Sequence, residues 1–113
     1  MANVPLYEAK ANLFRTLGHP VRIRVLELLQ DGPKPVRELL ADIGVEASNL
    51  SQQLAVLRRT GLVSSSREGA AVLYTLATPD VAHLLLYGRR ILASVWSDQE
   101  VLLAELRDTV ETM

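Results

Sequence analysis

The sequence predicts a mainly α-helical fold in one domain, residues 1–113, with a single two-stranded β-hairpin. Apolar residues recur at helical spacing along most of the chain, as in helices that bury one side. The region after Gly61 departs from this pattern, because its apolar residues alternate as they do in strands. A length of 113 residues, of which 49% are hydrophobic and 22% charged, suits one folded domain.

Two helices are predicted to open the chain. Residues 5–17 end at Gly18, a residue that commonly terminates helices. The next segment, HPVRIRVLELLQDG, has Pro20 where a first helical turn accepts proline and Gly32 at its end. The apolar positions of the two segments are Leu6, Ala9, Leu13, Phe14 and Leu17, then Val21, Val25, Leu28 and Leu29.

Two further helices follow with a very short connection. The segment KPVRELLADIG is separated by only a few residues, VEAS, from the segment SNLSQQLAVLRRTGLV, residues 48–63. In the latter, the side chains of Leu50, Leu54 and Leu57 fall on one side of a helix that ends at Gly61. Two short helices joined by so brief a connection, the first ending at Gly44, predict a helix-turn-helix.

A β-hairpin is predicted directly after this pair of helices. The segments LVSSS and AAVLYTLA have strand character, and the second alternates at Val72, Tyr74 and Leu76. Between them, REG can form a tight turn because Gly69 adopts a positive φ at little cost. With Arg67 at its tip, this hairpin is typical of the wing in a winged helix-turn-helix.

The C-terminal part predicts one long helix and one shorter helix. Residues 79–95 follow Thr78, a plausible N-cap, and are apolar almost all round. Because a domain of this length cannot cover every side of such a helix, we expect it to pack against a second copy of the chain. Ser97 and Glu100 have the spacing of a capping box and predict the start of the last helix. The expected order of elements is ααααββα(α), in a homodimer.

Charge is distributed unevenly along the chain. The net charge is −1, but residues 98–113 hold five acids and one base, so the first 97 residues hold 11 bases and eight acids. Within them, residues 47–67 contain three arginines and no acid. This segment is therefore expected to be the electropositive part of an otherwise neutral molecule.

The polar side of the helix near residues 48–59 is suited to a DNA major groove. Gln and Asn side chains can pair with adenine, and Ser hydroxyls can bind bases or phosphates. Arginines at the far end of the helix and in the hairpin can bind phosphates. The predicted DNA-binding residues are Ser48, Asn49, Ser51, Gln52, Arg58, Arg59 and Arg67.

The sequence is also compatible with functions other than DNA binding. Any surface helix shows a leucine stripe backed by polar residues, and a winged-helix protein can serve as a protein-interaction module that does not bind DNA. An enzyme is not expected, because the sequence has no cysteine, no glycine-rich phosphate loop and no cluster of histidines with carboxylates. The sequence shows neither a signal peptide nor an apolar run long enough to cross a bilayer, so we expect a cytoplasmic protein.

Three segments carry a resemblance to a known family. FRTLGHPVRIRVLELL, SQQLAVLRRTGLV and REGAAVLYTL resemble, in order, parts of the ArsR/SmtB family of bacterial winged-helix repressors. The resemblance implies a homodimer, held by the first and last helices, that binds a two-fold operator. At Gln53 many members carry histidine, and this departure is expected to lie at the edge of the DNA-facing side. The residues expected at the dimer interface, any of which could instead belong to the core of one subunit, are Leu6, Leu13, Leu85, Ile91 and Leu92.

Members of this family often release DNA when they bind a metal, but the usual sites do not carry over to this sequence. The site near the third helix uses cysteines, which are absent, and Asp80 and His83 do not have the spacing of the fifth-helix site. His83 is interpreted as structural or solvated, and His19 as part of a helix start. No cofactor is identified. The sequence has no recognisable metal site. It still allows a metal effector such as nickel, bound through histidine, carboxylate and backbone donors.

Overall fold

The computed structural model of the protein describes residues 3–95 and 100–111. Within these ranges the chain forms six α-helices, one 3-10 turn and three short strands. In order they are α1 (Leu6–Leu17), α2 (Pro20–Leu28), a 3-10 turn (Leu29–Asp31), β1 (Lys34–Pro35), α3 (Val36–Ile43), α4 (Ala47–Arg59), β2 (Val63–Glu68), β3 (Ala71–Leu76), α5 (Asp80–Val95) and α6 (Glu100–Glu111). The predicted mainly helical fold with a β-hairpin is confirmed.

The chain divides into two compact units between Val81 and Ala82. The N-terminal unit contains α1 to α4 and the three strands, and the C-terminal unit contains most of α5 and all of α6. That the whole chain is one domain stays a prediction.

The core of the N-terminal unit is made of aliphatic side chains. Leu50, Leu54 and Leu57 of α4 are buried, as their spacing predicts, and α4 packs against α2 and β2. Leu26 of α2 is also fully buried, although the predicted apolar stripe of that helix omitted it. The buried hydrophobic residues of this unit are Leu17, Val25, Leu26, Leu29, Leu39, Leu50, Leu54, Leu57, Val63 and Val81.

The start of α2 and the end of α3 follow the predicted signals, whereas α2 ends at Leu28 and the predicted terminator, Gly32, instead follows the 3-10 turn. His19 is the N-cap of α2, where its Nδ1 accepts a hydrogen bond of 3.2 Å from the backbone N–H of Val21, and Pro20 is the first helical residue. Helix α3 ends at Gly44, whose φ of +75° lies in the left-handed region. Only the residues from Gly44 to Glu46 then separate α3 from α4, which gives the short connection of a helix-turn-helix.

The hairpin has the predicted strands but a different tip. Glu68 pairs with Ala71, so the turn consists of Gly69 and Ala70, with Gly69 at φ +61°. Arg67 pairs with Val72 inside the ladder and therefore lies beside the turn, not at the tip as the sequence suggested. The reason is that the turn takes only two residues, which leaves Arg67 and Glu68 in β2.

The structure adds a third strand to the sheet. Lys34 and Pro35 of β1 pair antiparallel with Tyr74 and Leu73 of β3, giving the order β1-β3-β2. A strand of two residues is too short to show alternation, and its proline fits only because β1 is an edge strand. The sequence pattern therefore predicted the hairpin and missed its neighbour.

Helices α5 and α6 follow the sheet in the chain. The backbone N–H of Asp80 donates a hydrogen bond of 3.3 Å to Oγ1 of Thr78, in agreement with Thr78 as the N-cap of α5. Helix α6 begins at Glu100 and runs for 12 residues, close to the predicted three turns. Ser97, the first residue of the predicted capping box, lies outside the described residues.

Candidate nucleic-acid interface

Helix α4 separates its side chains into a buried apolar side and an exposed polar side. Ser48, Ser51 and Gln52 are exposed in its first half, while the leucines are buried on the opposite side. Ala55 is exposed on the same polar side, where its small side chain permits close approach of a ligand surface. No acidic residue occurs in the first turn of the helix. The polar side thus offers hydrogen-bonding groups without a carboxylate that would repel phosphate.

Asn49 is placed differently from the other predicted DNA-binding residues of this half. It is half-buried, and its Oδ1 accepts a hydrogen bond of 3.0 Å from Nε2 of Gln53. The oxygen of its carboxamide is therefore directed toward Gln53, into the protein.

Gln53 corrects the expectation that this residue lies at the edge of the DNA-facing side. Its side chain is buried, with 8% exposure, and Oε1 accepts a hydrogen bond of 2.8 Å from Nε of Arg22. The cause lies in helical spacing: Gln53 follows Leu50 by three residues and precedes Leu57 by four, so it belongs to the buried stripe. The spacing of Gln53 from Leu50 and Leu57 could therefore have predicted from the sequence that its side chain is buried.

Arg22 of α2 is a contributor to this region that the sequence did not suggest. Besides bonding Gln53, its Nη1 donates a hydrogen bond of 3.0 Å to the backbone carbonyl of Thr16 in the last turn of α1. A cation near a helix C-terminus is favoured by the helix dipole. Arg22 and Gln53 are 31 residues apart in the chain, so no local pattern could have paired them.

The two arginines at the end of α4 are both exposed. Nη1 of Arg58 lies 3.4 Å from Oγ of Ser65 in β2, a long hydrogen bond that connects the helix to the sheet. Arg59 is on the same side of the helix as Gln52 and Ala55, at successive helical turns. Both guanidinium groups lie within reach of solvent, as phosphate binding would require.

In the hairpin, the exposed side chains near the turn are of mixed charge. Arg67 and Glu68 are both exposed at the end of β2, next to the turn. Ser64 and Ser66 are exposed further along the same strand. The hairpin therefore offers one cation and several hydroxyl groups, with an acid beside the cation.

The residues predicted at a dimer interface lie on α1 and α5. Leu6, Ile91 and Leu92 are exposed, and Leu13 and Leu85 are half-buried. The same helices expose further large apolar side chains that were not predicted there, namely Tyr7, Phe14, Leu86, Tyr87 and Val95. Each helix thus carries apolar area that the described chain leaves in contact with water.

Neither histidine joins a group of metal ligands within the described residues. Among residues 3–95 and 100–111, no three His, Asp or Glu side chains come together in a way that could hold a metal ion. His19 accepts a hydrogen bond at the start of α2, as the interpretation of this residue requires. His83 is exposed on α5. In the part of the chain that the structure describes, no helix has both the length and the apolar character needed to span a bilayer.

Comparison with known proteins places this helix-turn-helix among bacterial regulators. Residues 19–65, from the N-cap of α2 into β2, match the model of the family described as bacterial regulatory protein, arsR family. The chain is 53% identical over 108 residues, 95% of each chain, to the uncharacterized HTH-type transcriptional regulator Rv0081 of Mycobacterium tuberculosis.

Solved structures give the same result. The crystal structure of Rv0081 aligns with a TM-score of 0.77 at 54% identity, over 86% of this chain and 98% of that one. The transcriptional repressor BigR from Xylella fastidiosa aligns with a TM-score of 0.68 at 36% identity, over 80% of this chain and 88% of that one. The homodimeric winged helix-turn-helix DNA-binding domain of Mb0332 from Mycobacterium bovis, solved by NMR, aligns with a TM-score of 0.64 at 28% identity, over 89% and 94%.

Proposed function

The chain belongs to the ArsR family of bacterial regulatory proteins, and on this premise we propose that it regulates transcription by binding a two-fold operator as a homodimer. Helix α4 would enter the major groove, and the hairpin of β2 and β3 would lie along the flanking backbone or minor groove. The protein would act in the cytoplasm, where bacterial DNA is held. No enzymatic activity is assigned to it.

The observation that carries this proposal is the division of α4 into two sides. A helix that reads DNA needs one side packed on its own domain and a second side that is narrow, polar and free of acid. The buried leucines meet the first need, and exposed Ser48, Ser51 and Gln52 meet the second. Arg58 and Arg59 would bind phosphates, with Arg67 adding a contact from the hairpin, and Asn49 would take part through its carboxamide.

Dimerisation is supported by the exposed apolar side chains of α1 and α5 and by the homodimeric relative Mb0332. In a two-fold dimer, two copies of α4 would contact half-sites about one helical turn, roughly 34 Å, apart. Leu6, Leu13, Leu85, Ile91 and Leu92 are proposed to lie in the interface. No effector is assigned, since no three His, Asp or Glu side chains among the described residues come together to hold a metal ion such as nickel.

Fluorescence anisotropy with the DNA upstream of the protein's own gene tests the proposal. We expect a dimer bound to a two-fold sequence, and an affinity that falls steeply between about 50 and 200 mM salt because phosphate contacts release counterions. A matched random duplex of equal length measures the specificity. Equal affinity for both duplexes, or an affinity independent of salt, would contradict the proposal.

The alternative function is a protein-interaction module that does not bind DNA. It is favoured by the net charge of −1 and by the mixed charge of Arg67 and Glu68 in the hairpin. Replacing both Arg58 and Arg59 by alanine separates the two functions, since operator binding should be lost while capture of a protein partner should persist. Arg24→Ala is a control for charge, because Arg24 lies on α2 in an ion pair with Glu27.

A further inference from the structure

Three side chains form a hydrogen-bonded chain from α2 to the DNA-facing half of α4. Arg22 Nε donates to Gln53 Oε1 at 2.8 Å, and Gln53 Nε2 donates to Asn49 Oδ1 at 3.0 Å. Arg22 is itself held by the carbonyl of Thr16 at 3.0 Å. Among the described residues, no buried side-chain nitrogen or oxygen lacks a hydrogen-bond partner. Every buried polar atom of these three side chains is therefore hydrogen-bonded.

The direction of these bonds is set at the Arg22 end. A guanidinium has only donors, so Gln53 must turn its oxygen toward Arg22 and its NH₂ group toward Asn49. Asn49 must then turn its own oxygen toward Gln53. The group left for a ligand is the Asn49 NH₂, from which no described residue accepts a hydrogen bond. The Asn49 amide could otherwise present either its oxygen or its NH₂ group to a ligand. The bonds from Arg22 and Gln53 leave only the NH₂ group for this purpose.

We propose that Arg22 and Gln53 are positioning residues that orient the Asn49 carboxamide with its Nδ2 toward DNA, so that Asn49 acts as a hydrogen-bond donor to a base edge. This inference rests on the proposed function and refines it. A donor suits guanine, adenine or thymine, which present N7, O6 or O4 acceptors in the major groove, and it disfavours cytosine, which presents its N4 donor. It differs from the bidentate pairing with adenine suggested by the sequence, which uses the oxygen and the NH₂ of the amide together.

The variant Gln53→Glu reverses the polarity with little change of shape. A carboxylate accepts from Arg22 and has a second oxygen, also an acceptor, toward Asn49. Asn49 should therefore rotate its NH₂ inward and present Oδ1 to the DNA. The base preference at the contacted position should move toward cytosine or adenine, whose N4 and N6 amino groups are donors.

Binding-site selection from a DNA library randomised around the operator measures this preference. At one position of each half-site, wild type should select against cytosine by about fivefold or more, Asn49→Ala should abolish that discrimination, and Gln53→Glu should reverse it. The double variant Asn49→Ala/Gln53→Glu should show the same base preferences as Asn49→Ala alone. This comparison removes the general loss of DNA affinity that the added negative charge causes at every sequence.

A second measurement does not depend on DNA. In ¹H–¹⁵N NMR of the free protein, the side-chain NH₂ of Gln53 should exchange slowly with water and that of Asn49 quickly, and in Gln53→Glu the Asn49 NH₂ should become slow. Arg22→Lys retains a donor, so the Gln53 NH₂ should still exchange slowly and the Asn49 NH₂ quickly. Arg22→Met has no donor and should lose this difference between the two NH₂ groups. Thermal unfolding of each variant identifies loss of fold, and the two Arg22 variants decide the matter if Gln53→Glu does not fold.

Different outcomes separate the two proposals. Wild type that binds no DNA overturns the proposed function and, with it, the role of Asn49 at a base. Specific DNA binding with base preferences that are unchanged in both Asn49→Ala and Gln53→Glu overturns only the present inference. Equal exchange of the Asn49 NH₂ in wild type and Gln53→Glu overturns it as well.

Discussion

The backbone N–H of Leu62 donates a hydrogen bond of 3.0 Å to the carbonyl of Leu57, across the end of α4. Within the same turn, the backbone N–H of Gly61 donates a hydrogen bond of 3.1 Å to the carbonyl of Arg58, and Gly61 has a φ of +82°. These two bonds form a Schellman motif, which satisfies carbonyls that the end of a helix leaves without partners. The motif ends α4 and leads the chain directly into β2, so it sets where the hairpin lies relative to the helix.

Replacing Gly61 by alanine should therefore destabilise the protein. A left-handed φ costs a residue with a Cβ about 1 kcal/mol or more, while a Cβ at this position would meet no neighbouring atom. Urea denaturation should show a free energy of unfolding lower by about 1 kcal/mol. Gly61→Asn is the matched control and should lose less, since asparagine tolerates this conformation. Equal losses in the two variants would contradict the explanation from φ.

The two sides of α4 should respond differently to truncation. Leu50 is fully buried, so Leu50→Ala should lower the free energy of unfolding by about 2–5 kcal/mol through lost burial and a cavity. Gln52 is exposed, so Gln52→Ala should change stability by less than about 0.5 kcal/mol while it weakens operator binding. Denaturation and anisotropy on the same samples measure both effects. A Gln52→Ala variant with unchanged operator affinity would remove this residue from the interface.

A charge in the apolar surface of α5 should separate the dimer. Leu85→Glu or Leu92→Glu should yield monomers and weak operator binding, because a carboxylate in an apolar interface loses its hydration. Gln30 is exposed in the 3-10 turn, outside the two helices that carry the proposed interface. Gln30→Glu therefore introduces the same charge away from α1 and α5 and should leave the dimer intact. Sedimentation velocity measures the oligomeric state, and dimers retained in both leucine variants would refute the assignment of the interface.

The two charged residues beside the hairpin turn should have opposite effects on DNA binding. Arg67→Ala should weaken binding at all sequences, and it should reduce the slope of log affinity against log salt by about 2 if each subunit of a dimer loses one phosphate contact. Glu68→Gln removes a neighbouring negative charge and should strengthen binding. Anisotropy titrations at several salt concentrations measure both. A slope that Arg67→Ala leaves unchanged would show that the hairpin does not contact phosphate.

Several elements could be predicted from the sequence because they depend on residues close together in the chain. The leucine stripe of α4, the proline at the start of α2 and the glycines that end α3 and α4 are local features, and each lies where it was predicted. The hairpin was predicted for the same reason, since its two strands are joined by a two-residue turn. The prediction placed Arg67 at the tip because a sequence does not show where a strand ends and its turn begins.

The sequence by itself therefore determined the order of the helices, the hairpin and the polar side of α4, because periodicity and turn residues act over a few positions. Only the tertiary structure decided that Arg22 donates a hydrogen bond to Gln53 and that Lys34 and Pro35 form a third strand beside β3. These contacts join residues that are far apart in the chain. Their partners are selected by packing of the whole N-terminal unit, which no short segment encodes.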